Sequence, residues 1–367
     1  MSRSGPVGIG IIGAGVISDT YIENLTAFAD TRVLALGDLR PDVARAKAAA
    51  HGLAAAGEVD VVLAHPDVEI VVNLTIPAAH ADVAVQALTV GKHVWNEKPL
   101  ALERAGGRAV LAAAAEAGLR VGCAPDTFLG AGLQTVRRLI EAEAIGRPLT
   151  GLALLQSPGP DAWHPNPAFL FQAGAGPLFD IGPYYLTALI QTFGPVSSVA
   201  AAASTARDRR SIGSGPLAGQ TFDVTVPSHV GALIRFEGGA SAQAIFSFDS
   251  ALPRILLEVN GSDATLILPD PNGFDGDVQI RRRGSSAPET LARTEARSTR
   301  GTGVLEMARA IREHRPHRAD GALAYHVLDV MSAIGESADT GAFVAVDSTV
   351  AAAEPLPDDW DPRAATI

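Results

Sequence analysis

The sequence predicts a two-domain protein in which a doubly wound, parallel α/β sheet is followed by an α+β domain with a mostly antiparallel, open sheet. The chain has 367 residues, which is long for one ordinary domain and sufficient for two hydrophobic cores. Short apolar runs alternate with helical patterns in the first third, and after Pro125 consecutive strand-like runs dominate. We therefore expect a first domain over residues 1–123 and a second over residues 124–367.

The first domain reads as a series of βα units. Each strand-like run is short and apolar, and most are followed by apolar residues at helical spacing. Gly52 is expected to end the second helix. Repeated units of this length require right-handed crossovers, and hence a doubly wound sheet. The predicted strands are 7–12, 32–37, 59–63, 70–74, 93–96 and 119–122, and the predicted helices are 16–28, 41–50, 79–89 and 102–117.

The second domain begins with one predicted helix and continues as strands. Gly238-Gly239 and Ser262-Asp263 separate consecutive strand-like runs, as hairpin turns do. Apolar residues at helical spacing return near the end of the chain, which predicts C-terminal helices at about 304–338. The first helix is expected at 134–143, and the strands at 149–156, 196–203, 230–236, 240–248, 255–260 and 264–268.

The strand at 240–248 also bears on assembly. Ala242, Ala244, Phe246 and Phe248 alternate with the mixed set that includes Gln243, so one face is apolar and the other is mixed. An antiparallel sheet with helices on one face leaves its other face to solvent or to a partner. We therefore expect a homodimer or homotetramer.

Composition narrows the function. A formal net charge of −11 argues against nucleic-acid binding, because phosphates would be repelled, and the basic runs 207–210 and 281–283 are interpreted as solvated surface. No apolar run is long enough to span a membrane, and the first strand begins too early for a signal peptide, so a cytoplasmic location is expected. Cys123 is the only cysteine and is interpreted as a buried thiol. No His and carboxylate spacing indicates a metal site.

The first strand ends in a glycine turn, Gly13-Ala14-Gly15, that opens the next helix. Backbone N–H groups at such a helix start, here including those of Val16 and Ile17, bind a pyrophosphate. Ser18 replaces the third glycine of the dinucleotide motif. Asp38 ends the second strand, where a carboxylate meets the adenosine ribose and disfavours a 2′-phosphate. These features predict a Rossmann domain that binds NAD, and NADP less readily.

Arg40 lies two residues after Asp38. Its guanidinium group is able to pair with the 2′-phosphate of NADP. Arg40 would therefore weaken the expected preference for NAD over NADP.

Two further motifs lie in the first domain. Residues 91–100 read Gly-Lys-His-Val-Trp-Asn-Glu-Lys-Pro-Leu, and residues 76–80 read Ile-Pro-Ala-Ala-His. With the glycine turn, they make nearly the whole chain resemble the glucose-fructose oxidoreductase, inositol dehydrogenase and rhizopine-catabolism (Gfo/Idh/MocA) family. The resemblance implies that Glu97 lies near the nicotinamide ribose and Lys98 at the reacting hydroxyl. It also implies cofactor contacts from Thr75, Ile76, Pro77 and His80.

The chemistry of alcohol oxidation supports the role of Lys98 independently. Removing a hydride and a proton from a secondary alcohol develops alkoxide charge, which a positive group stabilises. Lys98 is therefore expected to be both catalytic and substrate-binding.

A glycine-rich stretch in the second domain, residues 174–185, resembles the family's substrate loop and helix start. The inositol dehydrogenase branch has a histidine four residues after the residue that corresponds to Asp180, whereas this chain has Tyr184, as does the branch that resembles glucose-fructose oxidoreductase and dimeric dihydrodiol dehydrogenase. With a helix starting near Asp180, Pro183 would fall in the first turn and Asp180 and Tyr184 would share a face. Both are expected to be catalytic and substrate-binding, and Tyr185 to pack in the core.

Three histidines need separate interpretations. His164 lies in the proline-rich loop Trp163-His164-Pro165-Asn166-Pro167, where either a substrate contact or a surface role is possible. His80 and His326 fall on helical stretches, where a structural role is favoured.

These features together predict a nicotinamide-dependent dehydrogenase acting on a secondary alcohol of a sugar, glycoside or polyol. Two alternatives remain open: a non-catalytic sugar sensor that keeps the dinucleotide fold, and a glycoside-cleaving enzyme that recycles its NAD. The presence of Lys98, Asp180 and Tyr184 together disfavours the sensor.

Overall fold

The computed structural model describes residues 4–291 and 298–367. These residues form two compact units. The first contains the described residues of Met1–Gly130, Glu295–Tyr325 and Leu356–Ile367, and the second those of Ala131–Thr294 and His326–Pro355. The first unit therefore extends past the expected boundary at residue 123. It also includes two C-terminal segments, residues 298–325 and 356–367, that were expected in the second domain.

The elements follow one another in chain order with short 3₁₀ turns between some of them. The helices are α1 Ile17–Ala27, α2 Pro41–His51, α3 Asp60–Leu63, α4 His80–Thr89, α5 Arg104–Ala117, α6 Ala131–Glu141, α7 Gly176–Phe193, α8 Thr302–Arg312 and α9 Gly321–Thr340. The strands are β1 Val7–Ile12, β2 Thr31–Gly37, β3 Ala55–Gly57, β4 Ile70–Asn73, β5 His93–Asn96, β6 Val121–Cys123, β7 Pro148–Gln156, β8 Val196–Ser204, β9 Arg209–Ser211, β10 Thr221–Asp223, β11 His229–Phe236, β12 Ser241–Ser247, β13 Arg254–Gly261, β14 Ala264–Ile267, β15 Val278–Arg282, β16 Glu289–Leu291 and β17 Val344–Ala345.

The first unit is built on a six-stranded parallel sheet in the order β3-β2-β1-β4-β5-β6. The central strands β1 and β4 are buried along their whole length, as expected where helices cover both faces of a sheet. The order of the strands reverses between β1 and β4, and ligands bind in such sheets at that switch point, beyond the carboxyl ends of the strands. The predicted Rossmann architecture is confirmed.

One predicted strand is wrong. Residues 59–63 were expected to be extended, but α3 covers Asp60–Leu63 and the strand β3 lies earlier, at Ala55–Gly57. A short apolar run fits a buried helix as well as a buried strand. The helix is favoured here because Val62 is fully buried against β1 and β2, in space that the missing side chains of Gly10 and Gly37 leave open.

A buried ion pair attaches the C-terminal segments to the first unit. Asp30 is fully buried, and Nε of Arg309 in α8 donates to its carboxylate at 2.7 Å. The backbone N–H and the hydroxyl of Thr366 donate to the same carboxylate at 3.0 and 2.8 Å. Burial opposes ionisation, but the hydrogen bonds from Arg309 and Thr366 outweigh it and lower the pKa of Asp30.

The second unit contains a nine-stranded sheet in the order β16-β15-β14-β13-β7-β12-β11-β8-β17. The described strand pairs are antiparallel except β7 and β12, which run parallel. As predicted, Ala242, Ala244 and Phe246 of β12 are buried, whereas Gln243 is exposed. Helix α7 packs over this face, where the ring of Tyr185 lies edge-on to Phe246 with centroids 5.6 Å apart. The α+β prediction is confirmed.

No helix within residues 4–291 and 298–367 has both the length and the apolar character that a bilayer span requires.

Removing the carboxylate of Asp30 is expected to destabilise the protein strongly. Asp30→Ala leaves the Arg309 guanidinium buried without its partner, and breaking a buried ion pair from one side costs about 3–5 kcal/mol. Because the folded pKa of Asp30 is lowered, its contribution is present near neutral pH and is lost as the pH falls through that value. Urea denaturation at pH 7 measures the change. Glu116→Ala, on the exposed side of α5, is the control. An equal loss of unfolding free energy in both variants would contradict a stabilising role for the ion pair.

Candidate active site

The glycine turn after β1 is held in place by the strands beside it. Gly13 has φ of 107°, and a Cβ there would lie 2.5 Å from the carbonyl oxygen of Leu74. Its N–H donates to the Gly37 carbonyl at 2.8 Å. Only glycine tolerates both this conformation and this close approach. At Gly15, by contrast, no heavy atom of the described residues lies within 4 Å of an ideal Cβ, so the backbone there is open to a ligand.

Ser18 stands where a third glycine is usual, and its side chain fits there. It is fully buried, and its hydroxyl donates to the Gly15 carbonyl at 2.6 Å. A small hydroxyl therefore replaces bare backbone in the contact between helix and strand, and it also closes the turn.

Asp38 joins the loops that follow β1 and β2. One of its carboxylate oxygens accepts the Ala14 N–H at 2.8 Å, and the other accepts the Arg40 N–H at 2.9 Å. Arg40 Nε lies 3.9 Å from this carboxylate, while the Arg40 side chain is 73% exposed. A carboxylate has about four lone-pair positions, so Asp38 retains acceptor capacity for ribose hydroxyls.

Three large apolar side chains are exposed at the same edge of the sheet. Val16, Leu39 and Ile76 are 93%, 91% and 68% exposed, and they follow β1, β2 and β4. These strands are adjacent in the sheet, so the three side chains lie at the same edge as the open turn at Gly15. Clustered exposed apolar residues of this kind mark a ligand site. The residues present therefore fit a dinucleotide.

Glu97 and Lys98 follow β5 at this edge. Tyr21 of α1 donates its hydroxyl to Glu97 Oε1 at 2.7 Å, and the Lys98 N–H donates to Oε2 at 3.2 Å. Burial, and then the negative charge of Glu97, raise the pKa of Tyr21 far above its usual value, so Tyr21 remains a hydrogen-bond donor. The Glu97 carboxylate is thus fixed in orientation directly before Lys98.

His80 links the loops that carry Ile76 and Lys98. Its ring is buried, with Nδ1 2.6 Å from the Pro99 carbonyl oxygen and Nε2 3.1 Å from that of Thr75. Burial lowers the pKa of His80 despite these contacts. Pro77, which begins a short 3₁₀ turn, lies in the loop that His80 holds.

Cys123 is buried, as predicted. Its thiol donates to the Glu97 carbonyl at 3.6 Å, and burial raises its pKa well above the usual value, which is the behaviour of an inert structural thiol.

Helix α7 carries the candidate residues of the second unit. It begins at Gly176, earlier than the expected start near Asp180, so Pro183 lies inside the helix and not in its first turn. Gly176 has φ of 74° and Pro177 occupies the first turn, where its missing N–H removes no helical bond. Asp180 and Tyr184 remain four residues apart, which places them on one face.

Asp180 lines a cavity of about 390 Å³ within the second unit. The cavity lies where three neighbouring strands end or begin. β7 and β12 are parallel and end together, with Ser247 opposite Gln156. β13 begins at the same level, with Arg254 opposite Gln156. Its polar lining residues are Gln156, Ser157, Asp180 and Arg254, and its apolar ones include Leu155, Trp163, Leu170, Ile181, Phe248 and Ile255.

The loop before α7 contributes Trp163 to this lining, whereas His164 is not one of the lining residues. The His164 ring lies edge-on to Trp163 and Phe169, with centroids 5.6 and 5.5 Å away. Its Nδ1 accepts the Asn166 N–H at 3.0 Å. These contacts order the loop.

Arg210 corrects the interpretation of the run 207–210 as solvated surface. Its side chain is buried, and it contacts the carboxylates of Asp161, at 2.7 Å, and Asp249. It also donates to the Phe248 carbonyl at 2.8 Å, and its guanidinium lies 4.8 Å from the centroid of Phe171. Arg210 therefore connects the turn that precedes Trp163 to the residues that follow β12. The other run, 281–283, is exposed as expected.

Family models match both parts of the chain. A model described as an oxidoreductase family with an NAD-binding Rossmann fold matches residues 7–124, and a model of the GFO/IDH/MocA C-terminal domain matches residues 133–267. The chain belongs to the GFO/IDH/MocA family. The resemblance on which the expectations for Glu97, Lys98 and Asp180 rest is thereby confirmed.

Curated members of the family include sugar and inositol enzymes. The chain is 25% identical to a 1,5-anhydro-D-fructose reductase of Ensifer adhaerens over 70% of this chain and 74% of that protein. It is 34% identical to an inositol 2-dehydrogenase of Ralstonia nicotianae over 38% of this chain and 43% of that protein. The second match spans less than half of either chain.

Among solved structures, a levoglucosan dehydrogenase in complex with NADH and L-sorbose matches the fold with a TM-score of 0.81 at 22% identity. The match covers 94% of this chain and 100% of that one. At this identity the likeness establishes the fold alone.

The description of the family's first domain is an NAD-binding Rossmann fold. Among the described residues, no group of three or more His, Cys, Asp and Glu side chains is arranged to hold a metal ion.

The two glycines of the turn are expected to respond differently to substitution. Gly15→Ala should fold with a free energy of unfolding within about 0.5 kcal/mol of the parent, because its Cβ meets open space. It should bind NAD roughly tenfold or more weakly, because the added Cβ would hold the pyrophosphate away from the backbone N–H groups, and one lost hydrogen bond to a charged phosphate costs about 1.5–3 kcal/mol.

Gly13→Ala is the matched variant and should lose stability by at least ~1–2 kcal/mol, since its φ and the Leu74 carbonyl both exclude a side chain. Calorimetric titration with NAD and thermal unfolding distinguish the two effects. Unchanged NAD affinity in Gly15→Ala would place the dinucleotide elsewhere.

Proposed function

We propose that this protein oxidises a secondary alcohol of a sugar, glycoside or polyol and passes the hydride to NAD. The observation that carries the proposal is the open edge of the first unit's sheet, where Gly15, Asp38 and three exposed apolar side chains fit a dinucleotide. The names of the relatives support the substrate class, because they are a reductase and dehydrogenases of sugars and cyclitols.

The cofactor would be held by the turn and the strand ends. Backbone N–H groups of Gly15, Val16 and Ile17 at the start of α1 receive the pyrophosphate, and Asp38 accepts the adenosine ribose hydroxyls. Thr75, Ile76, Pro77, Glu97 and Lys98 line the nicotinamide end. Bound NAD supplies the hydride acceptor.

The chain's own side chains handle charge and protons at the reacting hydroxyl. Lys98, as an ammonium group, stabilises the negative charge that develops on the alcohol oxygen. Tyr184 takes the hydroxyl proton as general base, in the position where relatives of the inositol dehydrogenase branch have histidine. Asp180, one helical turn earlier, binds a substrate hydroxyl and orients Tyr184.

Lys98→Ala and Tyr184→Phe are each expected to lower kcat by roughly 10²-fold or more, the usual scale for losing a group that stabilises charge or transfers a proton. NAD affinity should survive both changes, because the phosphates and adenosine rest on Gly15 and Asp38. Steady-state kinetics with a turned-over sugar and calorimetric titration with NAD measure the two properties.

Tyr185→Phe is the control for the tyrosine assignment. Among the described residues the buried Tyr185 hydroxyl has no hydrogen-bond partner, so its removal leaves no group unsatisfied, and turnover should stay within about threefold. Loss of activity in Tyr185→Phe with retention in Tyr184→Phe would reverse the assignment of the two tyrosines. If neither variant loses activity, the base lies elsewhere, and His164 becomes the next candidate.

We further propose that NAD is preferred over NADP by at least about tenfold in kcat/KM. A 2′-phosphate beside the Asp38 carboxylate would place like charges in contact, and the Arg40 guanidinium that opposes this effect is 73% exposed, with its Nε 3.9 Å from the carboxylate. Asp38→Ser should reduce the preference for NAD over NADP. Parallel assays with both cofactors measure it, and equal or better use of NADP by the parent would show that Arg40 dominates.

A further inference from the structure

The cavity beside Asp180 presents an apolar wall, formed by Trp163, Leu170, Ile181, Phe248 and Ile255. Eight of the twelve lining residues are apolar, and the four polar ones include Asp180. The hydroxyl groups of an unsubstituted sugar need hydrogen-bond partners around the edge of the ring, and polar groups buried without them cost free energy. A ligand that consisted only of hydroxylated carbons would therefore leave much of this wall unmatched.

The wall is built in advance of any ligand. Leu170 and Phe248 form a buried cluster with Phe171, and Ile181 packs against it. Arg210 lies behind this cluster, bonded to the carbonyl of Phe248 and stacked on Phe171. Side chains held in this way lose little conformational entropy when a ligand binds. The wall is therefore a preformed surface.

The outer part of the wall is exposed. Trp163 and Ile255 are 67% and 56% exposed although both are large and apolar. The volume of about 390 Å³ lies in the range of roughly 300–1,000 Å³ that small-molecule sites occupy. A ligand that contacts Asp180 would therefore also cover these two side chains.

We propose that the apolar wall binds an apolar substituent of the sugar substrate, an alkyl or aryl aglycone, while hydroxyl groups of the sugar contact Asp180. The substrate class is thus an apolar glycoside and not a free polyol. The inference rests on the proposed function, since it takes the ligand of this cavity to be the sugar that is oxidised.

Equilibrium binding tests the inference without requiring turnover. Pairs of methyl and phenyl β-D-glycopyranosides of glucose, galactose and xylose are titrated by calorimetry into the full-length protein saturated with NAD. For at least one sugar, the phenyl glycoside should bind about tenfold or more tightly than the methyl glycoside, the smaller end of the range for apolar contacts in such pockets. Emission of the exposed Trp163 should shift to shorter wavelength on binding.

Two variants link the preference to the wall. Trp163→Ala and Ile255→Thr change exposed side chains and should fold normally, and each should reduce the phenyl-to-methyl affinity ratio to below about threefold. Phe343→Ala removes an exposed aromatic side chain directly before β17, the edge strand of the same sheet, where it stacks on Arg235, and should keep the full phenyl-to-methyl ratio.

The outcomes separate this inference from the proposed function. A phenyl preference that the two wall variants abolish supports binding of the apolar substituent at the wall. Absence of NADH from every member of a wider panel of polyols, pyranoses and glycosides would separately refute the proposed function. Equal affinities within every pair, or no saturable binding by any phenyl glycoside, overturn the inference and leave sugar oxidation untouched. A change of mass in Trp163→Ala by light scattering, with the ratio intact, would also overturn it, because the wall would then be a contact between copies.

Discussion

The contact between the β1–α1 turn and the end of β4 is the constraint on which the candidate cofactor site depends. Gly13 brings the turn so close to the Leu74 carbonyl that no side chain fits between them. This contact sets the turn at the carboxyl ends of three adjacent strands, within reach of Asp38 through the Ala14 N–H. The start of α1, the Asp38 carboxylate and the exposed apolar side chains then share one edge.

Much of the fold was predictable because the information is local. The continuous apolar run of β1 and the helical spacing of apolar residues in α4 are both visible within a short stretch of sequence. Glycines such as Gly52 mark helix ends in the same local way. The segment 59–63 was not predictable, because four apolar residues satisfy both a strand and a helix. Whether this segment forms a helix or a strand depends on the space that glycines on β1 and β2 leave for Val62.

The candidate site divides in the same way. The glycine turn and Asp38 lie within one βα unit and are recognised by spacing. Lys98 and Tyr184 became candidates through the family motifs, and the chemistry of alcohol oxidation adds a second argument for Lys98 alone. The cavity beside Asp180 was not predicted, since it requires β7 and β12 to pair in parallel across more than 80 residues. Arg210 gave no sequence signal, because its two carboxylate partners are distant along the chain and its neighbours resemble solvated surface.

The central claim is that the chain transfers a hydride from a sugar alcohol to NAD and releases the reduced cofactor. It is tested most directly by the ratio of NADH formed to carbonyl product formed when the protein is incubated with NAD and a panel of polyols, pyranoses and glycosides. The account predicts one NADH for each carbonyl with at least one member of the panel. Glycoside cleavage without net NADH would indicate a hydrolase that recycles its cofactor, and binding of sugar and NAD without any product would indicate a sensor; either result would contradict the account.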